Sequence, residues 1–149
     1  MDLRPWVRAE HLGRLSDGLW LPMYDDGGNK LAGIEGKRGV RAQKADGSWI
    51  GGDFIRMQPY SAFPLHTHEG EHVIYFIYGE GFVHIDGEDI PVTVDQVIHI
   101  PAEYPHAVRC EKRPLMFLAV GHPHQHVDSP RRSRSVPDKK PPAPADRET

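Results

Sequence analysis

Apolar residues in this chain gather in short runs broken by Gly, Pro and Asp, and none of the runs sustains a helical period. Met1 to Leu21 carries the least pattern. Within it Arg8 to Leu15 predicts a short helix stopped by Ser16-Asp17-Gly18, and the whole stretch reads as an arm packed on the domain. Asp25 to Lys30 is a turn or loop by composition, and Gly33, Gly36 and Gly39 keep the next segment from being a helix. Val40 to Ala45 predicts a strand ending at the hairpin signal Asp46-Gly47, and Phe54 to Gln58 a strand stopped by Pro59. Val73 to Tyr78 is continuous β-branched and aromatic sequence, which predicts a strand buried on both faces or set in a barrel wall. Gly79-Glu80-Gly81 predicts a turn into Phe82 to Ile85, and Asp86-Gly87 another into Ile90 to Val94. Val97 to Ile100, Ala107 to Cys110 and Leu115 to Val120 complete the series. Short strands at this spacing predict an all-β barrel or a double-sheet sandwich.

Composition adds bounds. A chain of 149 residues suits one domain with a real core. The organisation expected is an arm with loops over 1–39, a β-barrel over 40–126 and a Pro-rich charged tail over 127–149, too poor in apolar residues to offset its ordering entropy. From Asp128 onward six Lys/Arg stand against four Asp/Glu, so the body carries more negative charge than the overall −3, a balance that argues against nucleic acid. Cys110 is the single cysteine, which rules out an intrachain disulfide and gives the expectation of a cytoplasmic protein. No leader-like or membrane-spanning apolar stretch is present in the sequence.

The histidines change the picture. His66, His68 and His72 fall within seven residues. In an extended chain positions i and i+2 leave the same face, so His66 and His68 can close on one ion. His72 follows Glu69-Gly70-Glu71, where a change of direction would return a third imidazole. His84 and His99 lie mid-strand among apolar neighbours, either lining the barrel as acid/base groups or facing outward. Arg56 alternates with Ile55 and Met57, and Tyr60 and Phe63 stand close before His66. Arg56 would hold an anion if its face turns inward, and Tyr60 would line the mouth. His84, His99, Arg56 and Tyr60 are therefore the candidate catalytic residues. His122, His124 and His126 repeat the i, i+2 spacing and read as an exposed His-rich end.

Pro59 to Cys110 resembles the cupin superfamily. His66 and His68 stand at the paired histidines of its first motif, and Gly79 at that motif's final glycine. His72 occupies the usual glutamate position, while Pro101 and His106 have the spacing of the second motif. Tyr60, Asp95 and Glu103 stand where the motifs carry glycine, and Cys110 where they carry asparagine. The resemblance implies a double-stranded β-helix, or jelly-roll barrel, of the small single-domain kind. It also implies a divalent transition metal (Fe, Mn, Zn, Ni or Cu) held by His66, His68, His72 and His106, with Glu69 or Glu71 open as alternatives to His72. Four neutral imidazoles would leave the ion more electrophilic than a set containing a carboxylate, favouring anionic ligands.

The function expected is a metal-dependent enzyme on a small anionic organic substrate, dioxygenase- or oxidoreductase-like. Non-redox Lewis-acid chemistry (a cyclase, isomerase or lyase, for example polyketide-cyclase-like) and non-catalytic binding or sensing of a small ligand are the alternatives. A homodimer is expected from exposed strand edges, and no nucleic-acid or membrane partner.

Overall fold

The computed structural model describes residues 3–129 and 131–136. Among the described residues one short helix, α1 (Arg8–His11), precedes ten strands: β1 (Leu21–Tyr24), β2 (Lys30–Gln43), β3 (Trp49–Met57), β4 (His66–Thr67), β5 (Glu71–Ile85), β6 (Glu88–Thr93), β7 (Val97–Ile100), β8 (His106–Arg109), β9 (Leu115–His122) and β10 (Arg134–Ser135). The strand run β1-β2-β3-β9-β5-β8-β4-β10 is antiparallel at every pairing, with β6 and β7 also on β5. The expected all-β barrel, a curled sheet of the jelly-roll kind, is what the chain forms.

β5 is the hinge of the architecture. Its first half pairs with β9 and β7, its second half with β6 and β8, so one strand belongs to both layers. Gly79-Glu80-Gly81 is thus not a turn. It is a corner inside a continuous strand, made possible by Gly79 at φ +83°, where an added Cβ would lie 1.8 Å from the Pro114 carbonyl oxygen. The Val73 to Tyr78 segment also departs from expectation. Ile74 and Phe76 are buried, but Val73 and Tyr75 are exposed, because an antiparallel sheet packs one face on the core and leaves the other to solvent. The core lies between the layers, around Ile34, Met57, Phe76, Val83, Ile100 and Phe117. Phe76 and Phe117 meet edge to face at 5.7 Å.

The Asp46-Gly47 and Asp86-Gly87 turns and most later strand limits fall where the pattern placed them. Strand structure reaches further into the N-terminal part than expected. β2 begins at Lys30 and absorbs three glycines, of which Gly36 lies beneath Val127, with no room for a Cβ. β1, read as part of the arm, pairs with β2. The helix of the arm is a single turn from Arg8 to His11 and buries none of its residues. The charged tail begins with a packed segment: Val127 is buried, the Ser135 amide and hydroxyl donate to Asp26 at 3.0 and 2.9 Å, and Val136 N–H donates to the Leu65 carbonyl at 2.9 Å. The rest of the disorder expectation falls on residues 137–149, outside the described residues.

Three positions where the resemblance expects glycine keep a glycine conformation without being glycine. Tyr60, Asp95 and Glu103 have φ of 63°, 71° and 63°. Each costs about 1–2 kcal/mol relative to a right-handed residue, which the surrounding turns absorb.

Candidate metal centre

The site begins with strand register. β4 is only two residues long, but His66 lies directly opposite His106 of β8, which brings their ring centroids to 4.3 Å. His68, two positions on, leaves the same face and approaches His106 with the two Nε2 atoms 3.2 Å apart. Ring nitrogens of His66, His68 and His106 all lie within 4.8 Å of one another, and all three residues are buried. His72 stands at the start of β5 and stacks on His68 at 4.0 Å between centroids. Its imidazole packs on Gly121, where a Cβ would come within 2.9 Å of the ring.

Backbone carbonyls decide which nitrogen carries each proton. The His66 Nδ1–H donates to Pro64 O at 2.7 Å, His68 Nδ1–H to Gly70 O at 2.5 Å and His106 Nδ1–H to Tyr104 O at 2.8 Å. A carbonyl oxygen only accepts, so each Nδ1 is protonated and each Nε2 presents a lone pair. Two such lone pairs facing each other at 3.2 Å repel unless a cation lies between them. The donor set therefore fits a metal ion, oriented by the hydrogen bonds that hold ligating histidines.

Electrostatics keep the imidazoles neutral. Burial, then the neighbouring His106, holds His66 well below the ordinary value of 6.5. Burial and the Arg132 guanidinium do the same for His72. Burial lowers His68 as well, and brings His106 down to about 4.

The pocket around these rings is small, about 40 Å³, lined by Ile55, Phe63, Ile74 and Phe117 and also by Arg132 and Ser133. Arg132 is fixed by donating to Asp53 and to the Gln125 carbonyl, both at 3.1 Å, and Asp53 also accepts from His124 Nε2–H at 2.8 Å. Burial raises the Asp53 carboxyl, but the His124 hydrogen bond and the Arg132 charge outweigh it and leave it lowered.

The four candidate catalytic residues lie elsewhere. Arg56 is bound to Glu35 at 2.7 Å and stacks on Trp20. Tyr60 is exposed at a turn. His84 pairs with Asp89 at 2.8 Å, and His99 with Glu71 at 2.9 Å on the solvent side. None of them lines the histidine pocket. Alternation along β5 sends Glu71 out where His72 goes in, and Glu69 is exposed. His124 is buried, contrary to the reading of an exposed His-rich end.

Arg132 was missed because it sits in a stretch whose composition signals disorder. Asp53 offered a signal: a lone carboxylate inside a glycine-rich and apolar strand needs a partner when buried.

Residues 53–121 match the Cupin_2 family model, a cupin domain. Over 68 residues the chain is 37% identical to an oxalate-binding protein of Thermotoga maritima; the match covers 44% of this chain and 56% of that protein, so it spans about half the relative's length. Among solved structures, an RmlC-like cupin from Shewanella frigidimarina has a TM-score of 0.65 at 15% identity, covering 78% of this chain and 94% of that one. The polyketide cyclase RemF from Streptomyces resistomycificus has a TM-score of 0.58 at 17% identity, covering 91% and 86%. At these identities the structural likenesses establish the fold.

Proposed function

We propose that this chain, which belongs to the cupin superfamily, is a metal-dependent enzyme that holds one divalent transition metal on His66, His68, His72 and His106 and acts on a small organic anion. One observation carries the reading: three buried imidazoles have their Nδ1 protons committed to carbonyls and ring nitrogens gathered within 4.8 Å of one another. A bound ion supplies Lewis acidity to oxygens of the anion.

The chain's own groups select the ligand. Four neutral imidazoles leave the ion's charge uncompensated, and Arg132 adds a cation at the pocket wall, so anions are favoured. Apolar side chains from β3, β5 and β9 exclude water and strengthen that attraction. A free volume of about 40 Å³, against the ~30 Å³ of one liquid water, restricts the ligand to a very small one unless residues 131–136 move aside. Oxalate, which the Thermotoga maritima relative is named for binding, has the charge the site favours and exceeds that free volume, so its entry requires residues 131–136 to move aside.

The test is metal analysis of the purified protein, then oxalate titration of the loaded and stripped forms with assays of oxygen uptake and product. One ion per chain is expected, with oxalate binding only to the loaded form and both lost in His106→Ala. Absence of stoichiometric metal, or equal oxalate affinity with and without it, overturns the reading. The relative's name also favours a second role, oxalate binding without turnover, which the product assay separates: affinity with no oxygen uptake and no product assigns the non-catalytic role.

A further inference from the structure

We propose that the cleft between the N-terminal arm and the end of the β2–β3 hairpin is a second ligand site, built for a small organic carboxylate and separate from the histidine pocket. Its volume is about 630 Å³, against about 40 Å³ for the histidine pocket, and the two share no lining residue. That size lies in the ordinary range of small-molecule sites, roughly 300–1,000 Å³.

The recognition element is Arg41. Its guanidinium lies over the Trp49 ring at 4.0 Å, and its Nε–H donates to His124 Nδ1 at 3.2 Å. These two contacts fix the plane of a half-buried fork. Its terminal amino groups carry no hydrogen bond among the described residues. A planar fork held in place with its outer donors unfilled matches a carboxylate, which accepts two parallel hydrogen bonds.

The surroundings do not neutralise it. Asp53 is the acid nearest the floor, but its carboxylate is committed to His124 and Arg132 on the pocket side. Arg4 and Arg38 stand at the cleft as further cations, Arg38 in an exposed pair with Asp128 at 3.2 Å, and Glu10 is the other acid there. In a chain of net charge −3, this concentration of arginines is local and directed. Pro5, Val7 and the edge of Trp49 supply an apolar wall for the organic part of the ligand. The Nε2–H tautomer of His124 is fixed because Arg41 donates to its other nitrogen, so the floor is rigid before any ligand arrives.

The test uses the full-length chain titrated calorimetrically with benzoate and, separately, with inorganic phosphate. Saturable benzoate binding is expected, weaker phosphate binding, and an unchanged benzoate affinity in the His66→Ala/His106→Ala double variant, which removes the metal pocket. Arg41→Gln, which removes the charge and the paired donors, should weaken benzoate by at least about tenfold, the floor set by losing even one charge-assisted hydrogen bond. Arg41→Lys, which keeps the charge and loses the fork, should also weaken it, and it gives the reading if Arg41→Gln fails to fold. The proposal is overturned by no saturable benzoate binding, by phosphate binding the more tightly, by loss of binding in the double histidine variant, or by indifference to both Arg41 changes.

Discussion

Two histidine pairs in this protein share the same i, i+2 spacing and meet opposite fates. His66 and His68 converge with His106, the ring nitrogens within 4.8 Å of one another and the Nε2 atoms of His68 and His106 face to face at 3.2 Å. His122 and His124 diverge: His122 Nε2 lies 2.9 Å from the Ser48 hydroxyl at a surface hairpin, while His124 is buried between Asp53 and Arg41. The spacing puts two rings on one face of an extended chain, but a metal site needs a third ring across the barrel and carbonyls that take up every Nδ1 proton. The first pair has both. The second has a carboxylate and a guanidinium instead, so its buried ring joins an ion-pair network.

The largest effect should come from breaking the first cluster alone. His106→Ala removes the ring opposite His66 and should lower metal affinity at least ~100-fold, measured by competition with a chelator, whereas His122→Ala should leave it unchanged. The converse lesion is Asp53→Ala, which strands Arg132 and His124. Removing one member of a buried ion pair costs about 3–5 kcal/mol, so this variant should show the largest fall in denaturant midpoint with the histidine rings still present.

Acid should separate the two regions on one titration. The pocket histidines have folded-state pKa values below the ordinary 6.5, with His106 at about 4, so the unfolded chain binds more protons in that interval. Stability of the metal-free protein should therefore fall as pH drops from 6.5 towards 4. Asp53 is lowered from 3.8, so its contribution is present above that value and is lost only as pH falls through its folded pKa. Thermal melts across this range check both, and a flat profile between pH 6.5 and 4 would contradict the pocket assignment.

Two smaller changes sharpen the role of His72 and the cost of the turns. Gly121→Ala places a methyl 2.9 Å from the His72 ring and must displace it. If His72 is a ligand, metal affinity should drop roughly 10-fold with little loss of secondary structure; an unchanged affinity would leave a three-histidine site. Tyr60→Gly relieves an exposed side chain held at φ 63° and should be neutral or stabilising by up to about 1 kcal/mol in a melt.

Much of the architecture was legible because it rests on local signals. Asp86-Gly87 can turn where other residues resist, and Val97 to Ile100 alternates as a strand bounded by Pro101. The turn at Gly79 was misread because glycine signals a left-handed φ without saying whether the chain reverses or only bends. That outcome depended on β9 and β6 pairing with the two halves of one strand. Likewise the family pattern marked Tyr60, Asp95 and Glu103 as departures, yet the backbone there keeps the left-handed conformation.

The sequence by itself determined the period of the strands, the four histidines and their spacing along the chain, because these follow from side-chain alternation and the chemistry of imidazole. Only the tertiary structure decided where each ring points. It set His66 against His106, turned Glu71, Arg56 and His99 to solvent, and brought Arg132 from the charged tail to the pocket wall. The reason is physical: register and burial depend on contacts between residues far apart in the chain, and composition carries no record of which charge will find a buried partner.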